Sequence, residues 1–375
     1  GELNKDSFQA VFDVLLPKLR ASRLLPLIEE DGAEGLRTFL DAVLSYRRAD
    51  ALNATLQAGE RAPLWGSAMR GITASPRPLA ELIRAAEIAD RISSVESLAA
   101  MAAVVEHEHA SEPGLYGLLA ARLSARLPDR ARLAAIAKPY RQYFEEPRSL
   151  ATAKVFRSDG TSIHRYFFYN DDDGVESYQV FRRNYDRAPG WKLSDHRTWI
   201  HLTGTANGKR IEIFANVPVD AVRGESGADT TASDRQLIVA REMRKRGLEP
   251  NVVVHRGHAY HLDRTIEHLT PAAQLVYLGS CWGMESVDQV MHRAWSAQLI
   301  ATRGTGSHTI NDPLLKALNG EFLSGAPVIE WPRFWSAQEA RLGRSPLFQD
   351  YVPPHRNTAA ILLTAYYRYL ASPPR

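Results

Sequence analysis

Two short segments of this chain join strand-like apolar residues to side chains that could carry out nucleophilic chemistry. The first, residues 252–258, reads Val-Val-Val-His-Arg-Gly-His, and the second, residues 275–283, reads Leu-Val-Tyr-Leu-Gly-Ser-Cys-Trp-Gly. Cys281 is the only cysteine among 375 residues, so no intramolecular disulfide can form. An imidazole beside a thiol is the pair that nucleophilic thiol catalysis needs, because the imidazole activates the sulfur and then protonates the leaving amine.

The elements that must position these residues alternate between strand and helix. A β-rich run ends at Tyr169, residues 170–174 are predicted to form a polar turn, and Asn207-Gly208 predicts a β-hairpin that opens the domain. Apolar runs and helical periodicity then predict strands at 211–215, 251–254, 274–278 and 298–301, with helices at 233–246, near 263, at 285–295, and from an Asp312-Pro313 cap to 322.

Near-continuous apolar strands that alternate with helices predict a parallel sheet covered on both faces. The carboxyl ends of neighbouring parallel strands lie at one edge, about 5 Å apart per strand, and active sites of such sheets form there. The sequence therefore predicts that His258 and Cys281 face each other. The small residues Gly279, Ser280 and Gly283 would let a substrate backbone approach the sulfur, and the Cys281 backbone N–H could help to hold an oxyanion.

An apolar strand that ends in Gly-His, followed by one that ends in a small residue and Cys, resembles the cysteine peptidases of the caspase, gingipain and separase clan. The resemblance covers roughly residues 210–325, and the histidine precedes the cysteine as in that clan. It implies a caspase-like α/β fold, a Cys281 nucleophile and His258 as the general base. The gingipain-like motif has Gly after the histidine, whereas this chain has Ala259.

The same resemblance implies further site residues and a type of substrate. The backbone at Gly257, Ala259 and Gly279 would surround the oxyanion, and a peptide or protein would be cut after a residue whose side chain enters a pocket near the strand ends. The candidate pocket residues are Trp282, Arg303, Asp312 and His255. An acidic pocket residue such as Asp312 would favour Arg or Lys substrates, while Arg303 or Arg256 would favour Asp.

Three alternatives stay open at this point. Gly279 to Gly283 also spells Gly-x-Cys-x-Gly, the nucleophile elbow of class I glutamine amidotransferases and of cysteine-bearing α/β-hydrolases, with His355 as the later histidine. His255, His258 and His261 with Cys281 could hold zinc. Residues that alternate along a strand point to opposite faces, which argues against the convergence of these side chains. We therefore predict no metal, and we also predict no cofactor. The domain could also be a non-catalytic relative that serves as a binding or scaffold protein.

Residues 1 to about 145 are predicted to form an all-α domain, with a first helix capped by Ser7, followed by the α/β domain over 150–375 with C-terminal helices. We predict that the helical domain presents a protein-binding or regulatory surface. Acidic residues are interleaved with basic ones and the net charge is only +3, so nucleic-acid binding is not predicted. No apolar run reaches the roughly 18 residues of a membrane span. We expect a soluble protein, cytoplasmic or exported, since the chain begins with Gly1 and a signal could have been removed.

Overall fold

The chain divides into two structural units and passes from one to the other at residues 146 and 361. The structure is a computed structural model that describes residues 38–40, 42–44, 52–54, 56, 58–218 and 230–374. One unit comprises Gly1–Glu145 and Ile361–Arg375, and the other comprises Glu146–Ala360. The sequence-based division puts the boundary at nearly the same place, but it assigns residues 361–375 to the α/β domain, whereas the structure groups them with the first unit.

The first unit contains a series of helices in its described residues. Their bounds are α1 Ala58–Ala74, α2 Pro78–Arg91, α3 Val95–Glu108, α4 Pro113–Ser124 and α5 Ala131–Ala137. Helix α2 buries one apolar face with Leu82, Ala85 and Ile88, whereas α4 is buried on nearly all sides. The helix predicted after Ser7 lies outside the described residues, so an all-α domain over the whole of 1–145 stays a prediction. No helix in the described ranges is both long and apolar enough to cross a membrane.

The second unit has an α/β fold around a mixed sheet of eight strands. The strands are β2 Thr161–Phe168, β3 Trp191–Asp195, β4 Trp199–Ala206, β5 Lys209–Asn216, β6 Val252–Arg256, β7 Leu275–Leu278, β8 Gln298–Thr302 and β10 Tyr351–Val352. Their order is β10-β8-β7-β6-β2-β5-β4-β3. The central strands from β8 to β5 are parallel. At the ends of the sheet, β10 pairs antiparallel with β8, β4 with β5, and β3 with β4. The predicted parallel sheet is therefore the centre of a mixed one. A separate pair joins β1 Ser149–Ala151 to β9 Val328–Glu330.

Helices cover both faces of this sheet. They are α6 Thr152–Val155, α7 Asp172–Tyr185, α8 Thr230–Lys245, α9 Leu262–Ile266, α10 Val287–Arg293, α11 His308–Leu323 and α12 Trp331–Leu342, and α13 Thr358–Ala371 follows across the boundary between the units. Alternate residues of β2 enter two different cores: Tyr166 and Phe168 pack in one with Phe181 of α7, and Ile163 packs in the other with Val239 of α8. Residues of β2 are thus buried on both faces, as a central strand requires.

One predicted turn and one predicted helix start differ from the structure, and both lie close to the predicted site. The predicted turn is the start of a helix, because α7 begins at Asp172. Asp171 is its N-cap and accepts a hydrogen bond from the Gly174 N–H at 2.6 Å. Helix α11 begins at His308 with Ser307 as its N-cap, so Asp312 does not cap it and Pro313 lies inside it. Each cap satisfies backbone N–H groups that would otherwise lack partners at a helix start.

Candidate active site at the carboxyl edge of the sheet

The strand register brings the predicted nucleophile and base to one edge of the sheet. Strand β6 lies between β2 and β7, and His255 of β6 pairs with Leu278 of β7. His258 and Cys281 each follow three residues after this pair, so both leave the sheet at the same level on neighbouring strands. On the other side of β6, Phe168 pairs with Arg256, and Asp171 follows three residues after Phe168. An acidic loop, a histidine loop and a cysteine loop therefore lie side by side, in that order.

The chain leaves β6 through a backbone position that requires glycine. Gly257 has φ of +152°, and a Cβ at this position would lie only 3.0 Å from Asp171 Oδ2 and from Tyr169 Cβ. This close approach lets the next amide, that of His258, donate to Asp171 Oδ2 at 3.1 Å. The Gly-His pair of the sequence motif thus has a local function, since the glycine allows the histidine loop to dock on the acidic loop.

The His258 imidazole is held by a carboxylate on one of its two nitrogens. Nε2 lies 2.9 Å from Asp172 Oδ1, and since an ionised carboxylate can only accept, Nε2 is the donor. Partial burial opposes the charged imidazole, but the hydrogen bond to Asp172 and the negative charges of Asp171 and Asp173 outweigh that cost and raise the pKa of His258. Nδ1 is the nitrogen left to exchange a proton with another group.

Behind His258 lies a buried cluster of aromatic and imidazole rings. His261 Nε2 lies 3.2 Å from Asp171 Oδ2, and its ring stacks on Tyr169 at a centroid distance of 4.3 Å. His255 is fully buried, its Nδ1 is 2.8 Å from Thr265 Oγ1, and burial lowers its pKa to about 4. His255 therefore stays neutral inside the protein and does not line an open substrate pocket, contrary to the prediction from sequence.

The loop that carries Cys281 is fixed on both sides of the thiol. Thr302, at the end of β8, donates from Oγ1 to the Ser280 carbonyl and accepts from the Gly283 N–H at 3.1 Å. The Trp282 N–H donates to the Gly304 carbonyl at 2.8 Å. Trp282 itself has φ of +56°, a left-handed conformation that is strained for a bulky residue and that concentrates at functional sites. These bonds turn the chain sharply just after the cysteine.

The thiol of Cys281 is half-buried and lies close to Tyr351. Burial is the main cause that raises the pKa of Tyr351, and the nearby thiol adds to it. Within the described residues no hydrogen bond joins Cys281 to His258, whose Nε2 bonds Asp172 instead. Catalytic hydrogen bonds are often long without substrate and tighten in the substrate complex, so this arrangement is compatible with a dyad.

Two backbone amides are available for an oxyanion. The amides of Trp282 and Gly283 are used inside the fold, but those of Ala259 and Cys281 donate to no other group in the part of the chain that the structure describes. The Gly279 carbonyl accepts from Asn311 Nδ2 at 2.9 Å, which fixes the start of the cysteine loop. The structure therefore leaves one donor in the histidine loop and one at the nucleophile itself.

The predicted pocket residues differ in burial, and only two of them, in the joined loops of Trp282 and Gly304, are partly exposed. Trp282 is half-buried beside Cys281, and Arg303 is half-buried in the loop after β8, where its backbone N–H donates to the Asp350 carbonyl at 2.8 Å. Asp312 is buried and forms an ion pair with Arg256, which is 1% exposed. Neither Asp312 nor Arg256 can therefore meet a substrate side chain at the surface, which leaves Arg303 as the one partly exposed residue of the three offered for a cleavage preference.

The histidine required by the amidotransferase-like alternative lies toward the other edge of the sheet. Tyr351 pairs with Thr302 and Val352 with Ala301, so the chain runs back along β8 toward its amino end. The charges of Arg148 and Glu146 act on His355, and the Ser149 carbonyl accepts a hydrogen bond from Gln298, the first residue of β8. Gln298 and Thr302 are about 13 Å apart along the strand. These contacts therefore indicate that His355 lies toward the amino end of β8, whereas the cysteine loop is bonded to its carboxyl end.

The three histidines proposed as zinc ligands are already bonded elsewhere, to Thr265, Asp172 and Asp171. Among the described residues, the one group of three potential metal ligands is Asp171, Asp172 and His258, whose ligand atoms lie within 4.8 Å of one another. Asp171 already accepts three N–H bonds, from Gly174, His258 and His261, which accounts for its place in the cluster without an ion.

The acidic loop is the part of the site that sequence reasoning missed. Asp171 and Asp172 belong to a run of three aspartates that begins a helix, and such residues are common at helix starts for capping alone. The run of aspartates directly after a buried strand was the available signal.

The chain matches no family model, and comparisons with curated proteins and with solved structures give no match either.

Proposed function

We propose that this protein is a cysteine endopeptidase in which Cys281 is the nucleophile and His258 is the general base. The observation that carries the proposal is the register of β6 and β7, which pairs His255 with Leu278 and so brings His258 and Cys281 to one level of the same sheet edge. The agreement with the caspase, gingipain and separase clan in motif and chain order supports the same assignment. We propose a caspase-like relationship on that basis.

The proposed reaction follows from the two nitrogens of His258. With Nε2 donating to Asp172, Nδ1 takes the thiol proton of Cys281 before attack, and the thiolate held by the imidazolium then forms a bond to the carbonyl carbon of the substrate. When the tetrahedral intermediate collapses, the peptide C–N bond breaks and Nδ1–H gives its proton to the leaving amine. Water, deprotonated by the same nitrogen, then hydrolyses the thioester and releases the acid and the free thiol.

The oxyanion of each tetrahedral intermediate needs donors that are already in place. The Ala259 and Cys281 amides supply two, and the bonds of Thr302 to both sides of Cys281 hold the second donor still. Ala259 replaces the glycine of the gingipain-like motif, but a methyl group does not remove the N–H. The strained Trp282 completes the turn that exposes the nucleophile.

The dyad is tested by the alkylation of the single thiol. At pH 6.5 we expect iodoacetamide to modify Cys281 about tenfold faster in the native chain than in His258→Ala, because a protonated imidazole stabilises the reactive thiolate. His292→Ala, which removes an exposed histidine from α10, is the matched control and should react like the native chain. Equal rates in all three chains would contradict the dyad and favour the non-catalytic alternative. Mass spectrometry measures the modified fraction directly.

The pH dependence of catalysis tests the role of Asp172. Since Asp172 raises the pKa of His258, the imidazolium survives to higher pH in the native chain. In Asp172→Asn this contribution is lost, so we expect the alkaline limb of the kcat/KM profile to move to lower pH while the acidic limb moves less. Peptide hydrolysis measured from pH 5 to 10 gives both limbs. An alkaline limb at the same pH in both chains would show that Asp172 does not act on the catalytic imidazole; Asp263→Asn, an exposed aspartate on α9, is the control.

A further inference from the structure

An exposed tyrosine is fixed directly beside the proposed base. Tyr260 is 69% exposed, the most exposed of the large hydrophobic residues described. Its ring lies 5.4 Å from the His258 ring at an interplanar angle of 22°, and 4.3 Å from the His261 ring. It belongs to the short 3-10 helix Ala259–His261. Tyr260 is therefore held by two imidazoles while most of its surface faces solvent.

This placement corresponds to one particular part of a peptide substrate. His258 must come within hydrogen-bond distance of the leaving amine in order to protonate it. That nitrogen belongs to the residue immediately after the cleaved bond, so the side chain of this residue is attached one atom away from the point that His258 contacts. A ring that stacks on His258 is therefore within reach of that side chain.

The chemistry around the ring indicates which side chains would bind. A tyrosine ring offers a rigid, largely apolar surface with few torsions to immobilise, and aromatic pairs prefer stacked or edge-on contacts. On the same imidazole lies Asp172, whose side chain is 93% exposed, with Asp173 adjacent in the chain. These carboxylates would repel an acidic side chain at this position.

We propose that Tyr260 forms the subsite for the residue directly after the cleaved bond, and that it selects aromatic and large apolar side chains there while the neighbouring aspartates reject acidic ones. This proposal rests on the proposed peptidase function. It concerns the leaving-group side of the substrate and is independent of the residue preferred before the bond.

The experiment uses the full chain and internally quenched peptides. A digest of denatured protein, read by mass spectrometry, first fixes the residues before the bond, and four peptides then differ only in the residue after it: Phe, Leu, Gly or Asp. In the native chain we expect kcat/KM to fall in the order Phe, Leu, Gly, Asp. In Tyr260→Ala the Phe-to-Gly ratio should fall about tenfold, as expected for the loss of one aromatic contact. Tyr260→Phe should keep that ratio, since its ring remains.

Three results would overturn the proposal. If Tyr260→Ala lowers kcat/KM equally for all four peptides, the ring only supports His258. If Tyr260→Ala changes neither kcat/KM nor the Phe-to-Gly ratio, Tyr260 does not select the substrate. The same conclusion follows if the ratio falls as much in Trp295→Ala, which removes an exposed ring outside the site. Both results leave the peptidase function intact. A native chain that cleaves no peptide of the digest overturns this inference together with the proposed function.

Discussion

Cys281→Ala is expected to abolish peptide hydrolysis, with kcat/KM falling by about 10⁴ or more. The chain has one cysteine, so no second thiol can replace it. Without the proposed nucleophile only substrate binding and oxyanion stabilisation would remain, and removal of the nucleophile from comparable catalytic groups costs several orders of magnitude. The measurement is kcat/KM for the best peptide of the digest. His258→Ala should lose about 10² to 10⁴ through the missing proton transfers.

The control for this loss lies at the preceding position. Ser280 is fully buried, and its hydroxyl has no hydrogen-bond partner among the described residues. Ser280→Ala removes a buried unsatisfied group without touching the thiol, so it should keep both hydrolysis and stability. Residual hydrolysis above a few per cent in Cys281→Ala would place the nucleophile elsewhere. A combined variant that lacks Cys281 and His258 should be no slower than Cys281→Ala, because the two groups act as a unit.

Local signals predicted the strands and the hairpin that frame the site. Asn207 and Gly208 have φ of +50° and +71°, and Ala206 pairs with Lys209 across them, as a two-residue hairpin turn requires. The apolar runs of β6 and β7 are also local, and consecutive strands of a parallel sheet are usually neighbours. The approach of His258 to the edge that carries Cys281 could therefore be predicted from two strands alone.

The strand order around them could not be predicted in this way. Strand β2 lies between β5 and β6, although β5 precedes β6 in the chain. Nothing in the apolar run of β2 specifies its partners, because strand pairing is a property of the whole sheet. The contact between Asp172 and His258 depends on this insertion and spans 86 positions of sequence. For this reason the sequence predicted only a polar turn at residues 170–174.

The start of α11 shows a second limit. Asp312-Pro313 is a strong local signal for a helix start, yet the helix begins at His308 because Ser307 accepts from the Thr309 N–H. Asp312 then lies on the buried side of the helix, where it meets Arg256 of β6. The sequence cannot distinguish a capping aspartate from one that neutralises a buried arginine, since the partner lies 56 positions away.

The buried pair of Arg256 and Asp312 should produce the largest loss of stability in the α/β unit. Burial opposes the charge of Arg256, but the carboxylate of Asp312 outweighs it and raises the pKa of the guanidinium, which also donates to Ser177 Oγ at 2.7 Å. Asp312→Ala leaves this cation buried without its counter-charge, so we expect the free energy of unfolding to fall by about 3 to 5 kcal/mol. Urea denaturation followed by tryptophan fluorescence measures it, because of the seven tryptophans only Trp65 lies in the other unit.

Two further variants separate this effect from the loss of any ion pair. Glu146→Ala breaks the pair with Arg148, whose side chains are 50% and 70% exposed, and should cost less than about 0.5 kcal/mol because solvent screens such pairs. The double variant Arg256→Met, Asp312→Leu removes both buried charges and should regain most of the loss. If Asp312→Ala costs no more than Glu146→Ala, the pair does not hold β6 to α11. Arg256 immediately precedes Gly257 and His258. A double variant that regains stability but hydrolyses peptides more slowly than the native chain would therefore indicate that this ion pair also orients the loop that carries His258.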